Sequence, residues 1–431
     1  MSRALHGPDG ASLALTTKAV DVLIYLIEHR DRVVDKDELL GAVWSGRVVE
    51  ENNLTQAISS LRRAFGVGAG EHRFIRTFPN RGYRFVADLS ADVNSAKRGA
   101  AYGSMHDPAA ERLYLAGRDL IDAPSIARVK RAIGIFRQVL DIDPSHSLAW
   151  SGLAFAWRAM TMVSDMDPQQ AFPLSNAAVE HALALDASSP QAHAARAFNL
   201  YWHAWDWRAA ELACQHAIRL DPRVPDGHFV YAHLLHNFGR FEEARTHARI
   251  ARELNPLSPL VNTMEAGYLA AAGRTEEAET RVAHALEIAP DYWAALLTRG
   301  GMEIARGDPV GAIESIERAA KLSGRSSLTL ATLAPALVAT GNRAGAEQLR
   351  EELKTLSEAT YVPSANRAAI SNALGHHDEA LDLLEFAHEQ RDVRLVFLKT
   401  DARWNNLRSH PRFQALMDRM GFTPSFASGV L

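Results

Sequence analysis

Alanine returns every 34 residues at Ala210, Ala244, Ala278, Ala312, Ala346 and Ala380. Glycine keeps the same interval at Gly239, Gly273, Gly307, Gly341 and Gly375, each five residues ahead of an alanine. Pro222, Pro256 and Pro290 punctuate the ends of the units, and Pro144 belongs to an earlier, less regular copy. A fixed period of this length excludes most globular folds, because each unit must bury its apolar face against the next copy of itself. The residue types say how. Alanine lets two helices approach closely, glycine takes the backbone through the turn that ends the first helix, and proline closes the second. Between Pro108 and Asp392 the pattern predicts about eight helix pairs, the second of them, around 147 to 189, lengthened by about nine residues.

The pattern resembles the tetratricopeptide repeat (TPR), most closely at GRFEEA and GRTEEA. Arrays of this kind curve into a solenoid whose first helices line a concave face, a common place to bind a peptide or partner protein. Projecting the repeat positions puts Phe155, Arg158, Asn199, Trp202, His203, His233, His236 and Asn237 on or near that face. The corresponding positions in later repeats are mostly Ala, Leu, Gly and Val, so a ligand is expected in the earlier half. After Asp392 the run TDARWNNLRSHPRFQALMDRMGF is more polar, as an end cap should be.

A second pattern precedes the repeats. Leu54, Ile58, Leu61 and Phe65 recur at helical spacing and define one buried face. The opposite face carries Asn52, Gln56, Ser59 and Arg63, with Asn53, Ser60 and Arg62 at its margins, and no acid interrupts it after Glu51. Amides, hydroxyls and guanidinium groups pair with base edges and phosphates. On an isolated helix the same face would be an ordinary solvated side, but this helix leads into an arginine-rich segment. There, two β-rich runs flank Pro79-Asn80-Arg81-Gly82 in a hairpin pattern that carries Arg73, Arg76, Arg81 and Arg84. An arginine at such a tip can enter a narrow minor groove. Upstream, Thr16 or Thr17 caps a first helix with Val20, Leu23, Ile24 and Ile27 inward. Asp35 and Glu38, in capping-box spacing, start a second helix with Leu39, Leu40 and Val43 as its apolar side.

The runs LTTKAVDVLIYLIEHRDRVVDKDELLGAVW, NNLTQAISSLRRAFG and IRTFPNRGYRFV closely resemble the OmpR/PhoB-type winged-helix DNA-binding domain over roughly residues 12 to 88. The resemblance makes 52–65 the recognition helix and 73–86 the wing. It implies base or backbone contacts from Asn52, Asn53, Gln56, Ser59, Ser60, Arg62 and Arg63, and backbone or minor-groove contacts from Thr77 and Arg81. Arg76 adds phosphate or groove affinity. In the family the loop corresponding to 44–51 can touch RNA polymerase, the alternative here being a plain surface loop. Because a single winged helix has a small footprint, binding to repeated half-sites as a homodimer or in tandem is expected. Family members begin with further strands, whereas Met1 to Leu15 alone precede the first helix here, so either a shortened N-terminal sheet or a start codon upstream of Met1 is expected.

Composition narrows the rest. With 47% apolar and 23% charged residues, the chain has the make-up of a globular protein. One cysteine, Cys214, excludes an internal disulfide framework and fits a reducing compartment. No apolar run reaches the length of a membrane span and no signal-peptide pattern is present, which points to a bacterial-type cytoplasm. No phosphate loop, nucleophile elbow or placed acid–base pair appears, so no enzyme activity and no cofactor is expected. His228, His233 and His236 share a helix without the further ligand a zinc site needs. The YWHAWDW cluster at 201–207 reads as core, and Cys214 as a buried inert thiol.

The expectation is therefore a mainly α chain. Residues 1–89 form an N-terminal winged helix-turn-helix, 90–107 a linker, 108–392 a TPR α-solenoid, and 393–431 capping helices and tail. Its expected function is sequence-specific binding of double-stranded DNA to regulate transcription, with the solenoid receiving a partner protein, peptide or effector. The alternative is an interaction scaffold in which the winged helix serves protein contacts.

Overall fold

The computed structural model describes residues 15–29, 32–44, 51–64, 74–78, 81–86 and 107–422. The chain divides into two compact units, Met1–Met105 and His106–Leu431.

In the first unit, helices α1 (Thr17–Glu28), α2 (Lys36–Val43) and α3 (Glu51–Ala64) are followed by a hairpin of β1 (Ile75–Phe78) and β2 (Gly82–Phe85). The helices begin where cap chemistry lets them. Thr16 Oγ1 accepts the Ala19 amide at 3.2 Å, and Asp35 accepts that of Asp37 at 2.8 Å. Glu38 does not close a capping box. Its carboxylate instead takes Arg32 at 2.8 Å and the Tyr25 hydroxyl at 2.9 Å, tying α1 to α2, and the Arg32 bonds hold it down at about 2. The core is Val22, Leu23, Leu26, Leu39, Leu54, Ile58, Leu61, Ile75, Tyr83 and Phe85. Ile24 corrects the expected α1 stripe: it is 37% exposed, while Ala19, Val22 and Leu26 are fully buried. A stripe shifted by two residues buries more apolar surface, because it adds Val22 and Leu26 to Val20 and Leu23. Phe65, residues 1–14, most of the 44–51 loop, the 90–106 part of the linker and the tail from 423 lie outside the described residues.

The second unit contains eight consecutive helix pairs. They run α4 (Pro108–Ile121) with α5 (Ile126–Ile142), α6 (Ser147–Val163) with α7 (Pro168–Leu185), and α8 (Pro190–Asn199) with α9 (Trp207–Leu220). Next come α10 (Pro225–Asn237) with α11 (Phe241–Leu254), α12 (Pro259–Ala271) with α13 (Thr275–Ile288), and α14 (Trp293–Ala305) with α15 (Pro309–Ser323). The last two are α16 (Ser327–Ala339) with α17 (Arg343–Ala359), and α18 (Ser364–Ala373) with α19 (His377–Glu389). The six periodic alanines are all fully buried at helix crossings. Each periodic glycine has φ between 74° and 81°, the left-handed turn that a side chain resists. The second pair is the long one, with helices of 17 and 18 residues.

The ends of the array make contacts well beyond their neighbouring pairs. Beyond α19, two short 3₁₀ turns, Val393–Phe397 and Ala402–Trp404, lead to α20 (Pro411–Arg419). Leu395, Val396, Leu398, Trp404, Leu407 and Phe413 along this segment are all at most 3% exposed. It packs on the last pair, where Asn372 donates to the Arg403 carbonyl at 2.7 Å and Arg412 pairs with Glu385 at 2.8 Å, and it also reaches across the interior. Trp207 Nε1 donates to the Met420 carbonyl at 2.7 Å, Lys399 Nζ to that of Phe238 at 3.0 Å, and Arg394 to that of Met162 at 3.3 Å. The first pair folds inward as well. Arg118 pairs with Asp226 at 3.0 Å, the Leu260 amide donates to the Asp122 carbonyl at 2.9 Å, and Trp293 Nε1 donates to that of Pro124 at 3.0 Å. The polar residues of the C-terminal run bond the last pair, and the apolar residues spaced between them are what the interior takes up.

Candidate nucleic-acid interface and interior cavity

The DNA-facing candidates sort into two groups. On α3, Leu54, Ala57, Ile58 and Leu61 are buried, which turns Asn53, Gln56 and Ser59 to solvent and leaves Ser60 half-buried at the edge. Asn52 and Arg63 lie on the same helix; their side chains are outside the described set. On the hairpin, Arg76 and Arg81 are exposed and Thr77 is half-buried.

Arg62 has a different position from the one its place on the helix margin suggested. One of its terminal nitrogens donates to the Ile75 carbonyl at 3.0 Å and to Thr77 Oγ1 at 2.7 Å, so this guanidinium fastens the hairpin to α3. Two residues expected to face DNA are thus bonded to each other. Their pairing was not legible from sequence because it depends on the angle at which the hairpin meets the helix.

The hairpin register sets Ile75 opposite Phe85, Arg76 opposite Arg84 and Thr77 opposite Tyr83. A third segment anchors the base of the hairpin: Val34 and Tyr83 exchange both backbone hydrogen bonds at 2.9 Å. Gly82 permits this approach. Its φ is 140°, and a Cβ there would lie 1.9 Å from the Val34 carbonyl oxygen.

In the helical unit, the expected groove residues also divide. Phe155, Arg158, Trp202 and His233 line a cavity of about 340 Å³ together with Phe198, Phe229, Tyr268, Trp293 and Phe397. The other four are engaged elsewhere. Asn199 donates to Asn176 at 2.8 Å and accepts from Ser175 at 3.0 Å; Asn237 bonds Tyr201 and accepts from Thr400 at 3.0 Å. His203 stacks on Phe172 at 4.5 Å and His236 on Tyr268 at 4.2 Å. Tyr268 and Trp293, from the fifth and sixth pairs, were missed because neighbouring lining positions there are small. Phe397 was missed because its segment crosses from the far end. A π-helical turn, Leu200–Ala204, continues α8, and the chain reverses at Trp205 with φ of 56°; the extra residue per turn rotates Trp202 inward.

His228 is not grouped with His233 and His236. Its Nδ1 meets Nδ1 of His247 at 2.8 Å and its Nε2 meets the Pro222 carbonyl at 3.0 Å. Burial lowers His233 to about 3, and His236 and His247 to about 4. Cys214 is fully buried and burial raises its thiol well above the usual range. The 201–207 cluster is mostly core: Tyr201, Trp202 and Trp207 are at most 7% exposed.

A three-helix unit with a hairpin pinned to its third helix, followed by paired helices on a 34-residue period, is an OmpR/PhoB-type winged helix joined to a TPR solenoid. Residues 10–85 match the family described as "Transcriptional regulatory protein, C terminal", and residues 225–249 match the tetratricopeptide repeat. Similar relatives include the transcriptional activator CadC of Escherichia coli, 32% identical over 19% of this chain and 16% of CadC. The transcriptional regulator HilA of Salmonella typhi is 41% identical over 16% of this chain and 12% of HilA. A cholera toxin homolog transcriptional activator of Vibrio parahaemolyticus is 30% identical over 26% of this chain and 39% of its own length. The chain thus matches well under half the length of these relatives. The Cut9–Hcn1 structure from the APC/C superimposes with a TM-score of 0.52 at 14% identity, covering 78% of this chain and 60% of that one. Human IFIT1 does so at 0.51 and 14%, covering 92% of both. These two likenesses establish the helical-repeat fold. Among the described residues no helix is long and apolar enough to cross a membrane.

Proposed function

We propose that the protein is a transcriptional regulator of the bacterial cytoplasm whose N-terminal unit binds double-stranded DNA and whose TPR unit receives a partner protein, peptide or effector. The observation that carries this reading is the union of the acid-free exposed face of α3 with a hairpin that holds Arg76 across from Arg84 and presents Arg81 at its turn. Asn52, Asn53, Gln56 and Ser59, with Ser60 at the margin, supply sequence choice through base edges. Arg63, Arg76 and Arg81 supply salt-dependent backbone or groove affinity, and Thr77 contributes through the position it fixes. Arg62 acts by holding the wing in register. Because one winged helix covers a short site, two copies bind repeated half-sites, and the 44–51 loop is the proposed contact with RNA polymerase. The relatives' descriptions as activators and regulators of transcription support the same class. No enzymatic step is part of this reading.

The test is genome-wide crosslinking and immunoprecipitation of the tagged protein beside an Arg76→Ala, Arg81→Ala double variant. Discrete promoter peaks that vanish in the variant are the expected result. Absence of peaks in the unaltered protein across growth conditions would overturn it.

A further inference from the structure

Arg158 is 8% exposed, deep in the repeat unit on α6. Its guanidinium lies 3.9 Å from the centroid of the Phe198 ring, 5.6 Å from that of Phe155 and 5.3 Å from that of Trp202, and its Nε has no hydrogen-bond partner in the protein. No ion pair includes it among the described residues. Burial alone brings its pKa down to about 9, with no carboxylate offsetting the effect. The other charges on the cavity wall are already accommodated: Arg118 and Asp226 pair with each other, and Asp122 accepts from Ser258 and Asn255. A buried cation without a partner is strongly unfavourable, and stacking on rings recovers only part of the loss.

The surroundings define what would complete the site. Trp202, His233, Thr263 and Tyr268 also line the cavity, and their buried Nε1, Nδ1, Oγ1 and Oη atoms also lack partners in the protein. The remaining wall is aromatic and aliphatic. The C-terminal segment contributes Phe397 to the wall of this half-open cavity. Its volume suits on the order of ten non-hydrogen atoms.

We propose that this cavity binds a small amphiphilic carboxylate, its single anionic group on Arg158 and its apolar or aromatic body against Phe198, Trp202, Phe229 and Tyr268. One guanidinium matches one carboxylate as a two-pronged hydrogen-bonded pair. His233 stays neutral and supplies a hydrogen bond, not a second charge. This deepens the reading of the TPR unit as a signal receiver by giving the effector a chemical class.

Isothermal titration calorimetry of the full-length protein, without DNA, tests it. The probes are hexanoate, octanoate and 4-phenylbutyrate, with 4-phenylbutanamide and 3-phenylpropyl phosphate as comparisons. Saturable binding is expected for the carboxylates, rising by up to about fourfold per added methylene. The amide should bind at least tenfold more weakly, and Arg158→Met should weaken 4-phenylbutyrate binding by at least tenfold. Arg158→Lys, which keeps the charge and loses the fork, should lie between. Should Arg158→Met fail to fold, the amide comparison in the unaltered protein remains decisive. No saturable carboxylate binding, or an amide that binds as well, overturns the proposal; tighter phosphate binding overturns the carboxylate assignment. Because no DNA is present, failure here leaves the DNA-binding reading standing.

Discussion

Arg62 offers the sharpest separation between a residue that reads DNA and one that builds the reader. Its two bonds, to the Ile75 carbonyl and Thr77 Oγ1, share one nitrogen, and the side chain is half-buried. A hydrogen bond from a charged donor contributes about 1.5–3 kcal/mol, and sharing makes the pair less than additive, so Arg62→Ala should cost about 2 kcal/mol. For a domain of this size that corresponds to a fall in melting temperature on the order of 10 °C. DNA affinity should also fall, because the hairpin loses its angle to α3. The salt slope should not change, since no phosphate contact is removed. Arg81→Ala is the matched control: stability near that of the unaltered protein, and a slope smaller by roughly 0.9 for each lost phosphate contact. Fluorescence anisotropy with a generic duplex across a salt series, alongside thermal denaturation followed by hydrogen exchange at the hairpin amides, reads both quantities. If Arg62→Ala left stability intact and reduced the slope as Arg81→Ala does, the positioning role would be refuted.

Gly82→Ala should destabilise the first unit by about 3 kcal/mol or more, because the new methyl would meet the Val34 carbonyl oxygen; loss of hydrogen-exchange protection at Val34 and Tyr83 is the readout. The helical unit should lose stability as pH falls from about 6.5 toward 4. His233, His236 and His247 bind protons near 6.5 when unfolded but only near 3 to 4 when folded, so the unfolded chain takes up the protons first. Urea midpoints measured across that window should shift less in a His247→Gln variant. Trp207→Phe should keep the stacking on Phe422 yet lose the bond to the Met420 carbonyl, costing about 1 kcal/mol and speeding limited proteolysis after residue 390.

Local rules made much of this legible in advance. Every periodic alanine and glycine sits where helix crossing and turn chemistry required, and the stripe of Leu54, Ile58 and Leu61 fixed which side of α3 faces solvent. Errors arose where geometry beyond the repeat decides. Ile24 lost its inward place to Leu26 because two overlapping stripes satisfy the same spacing. The positions of Arg62 and Thr77 depend on a helix–hairpin angle that no periodicity encodes. Half of the expected groove side chains reach the cavity, whereas Tyr268, Trp293 and Phe397 join it through contacts between elements far apart along the chain.

Repeat arrays usually tolerate the gain or loss of a unit, because each touches only its neighbours. Here Trp207 bonds Met420, Asp226 pairs with Arg118, and the Ser327 amide donates to Asp165. These ties lock the number of units as firmly as a clasp fixes the length of a bracelet. Duplicating or deleting a pair between Trp207 and Ser327 would throw both the Trp207–Met420 and the Asp165–Ser327 contacts out of register. The array should therefore melt as one cooperative body, without fraying from its ends, and its lineage should vary in side chains long before it varies in repeat count.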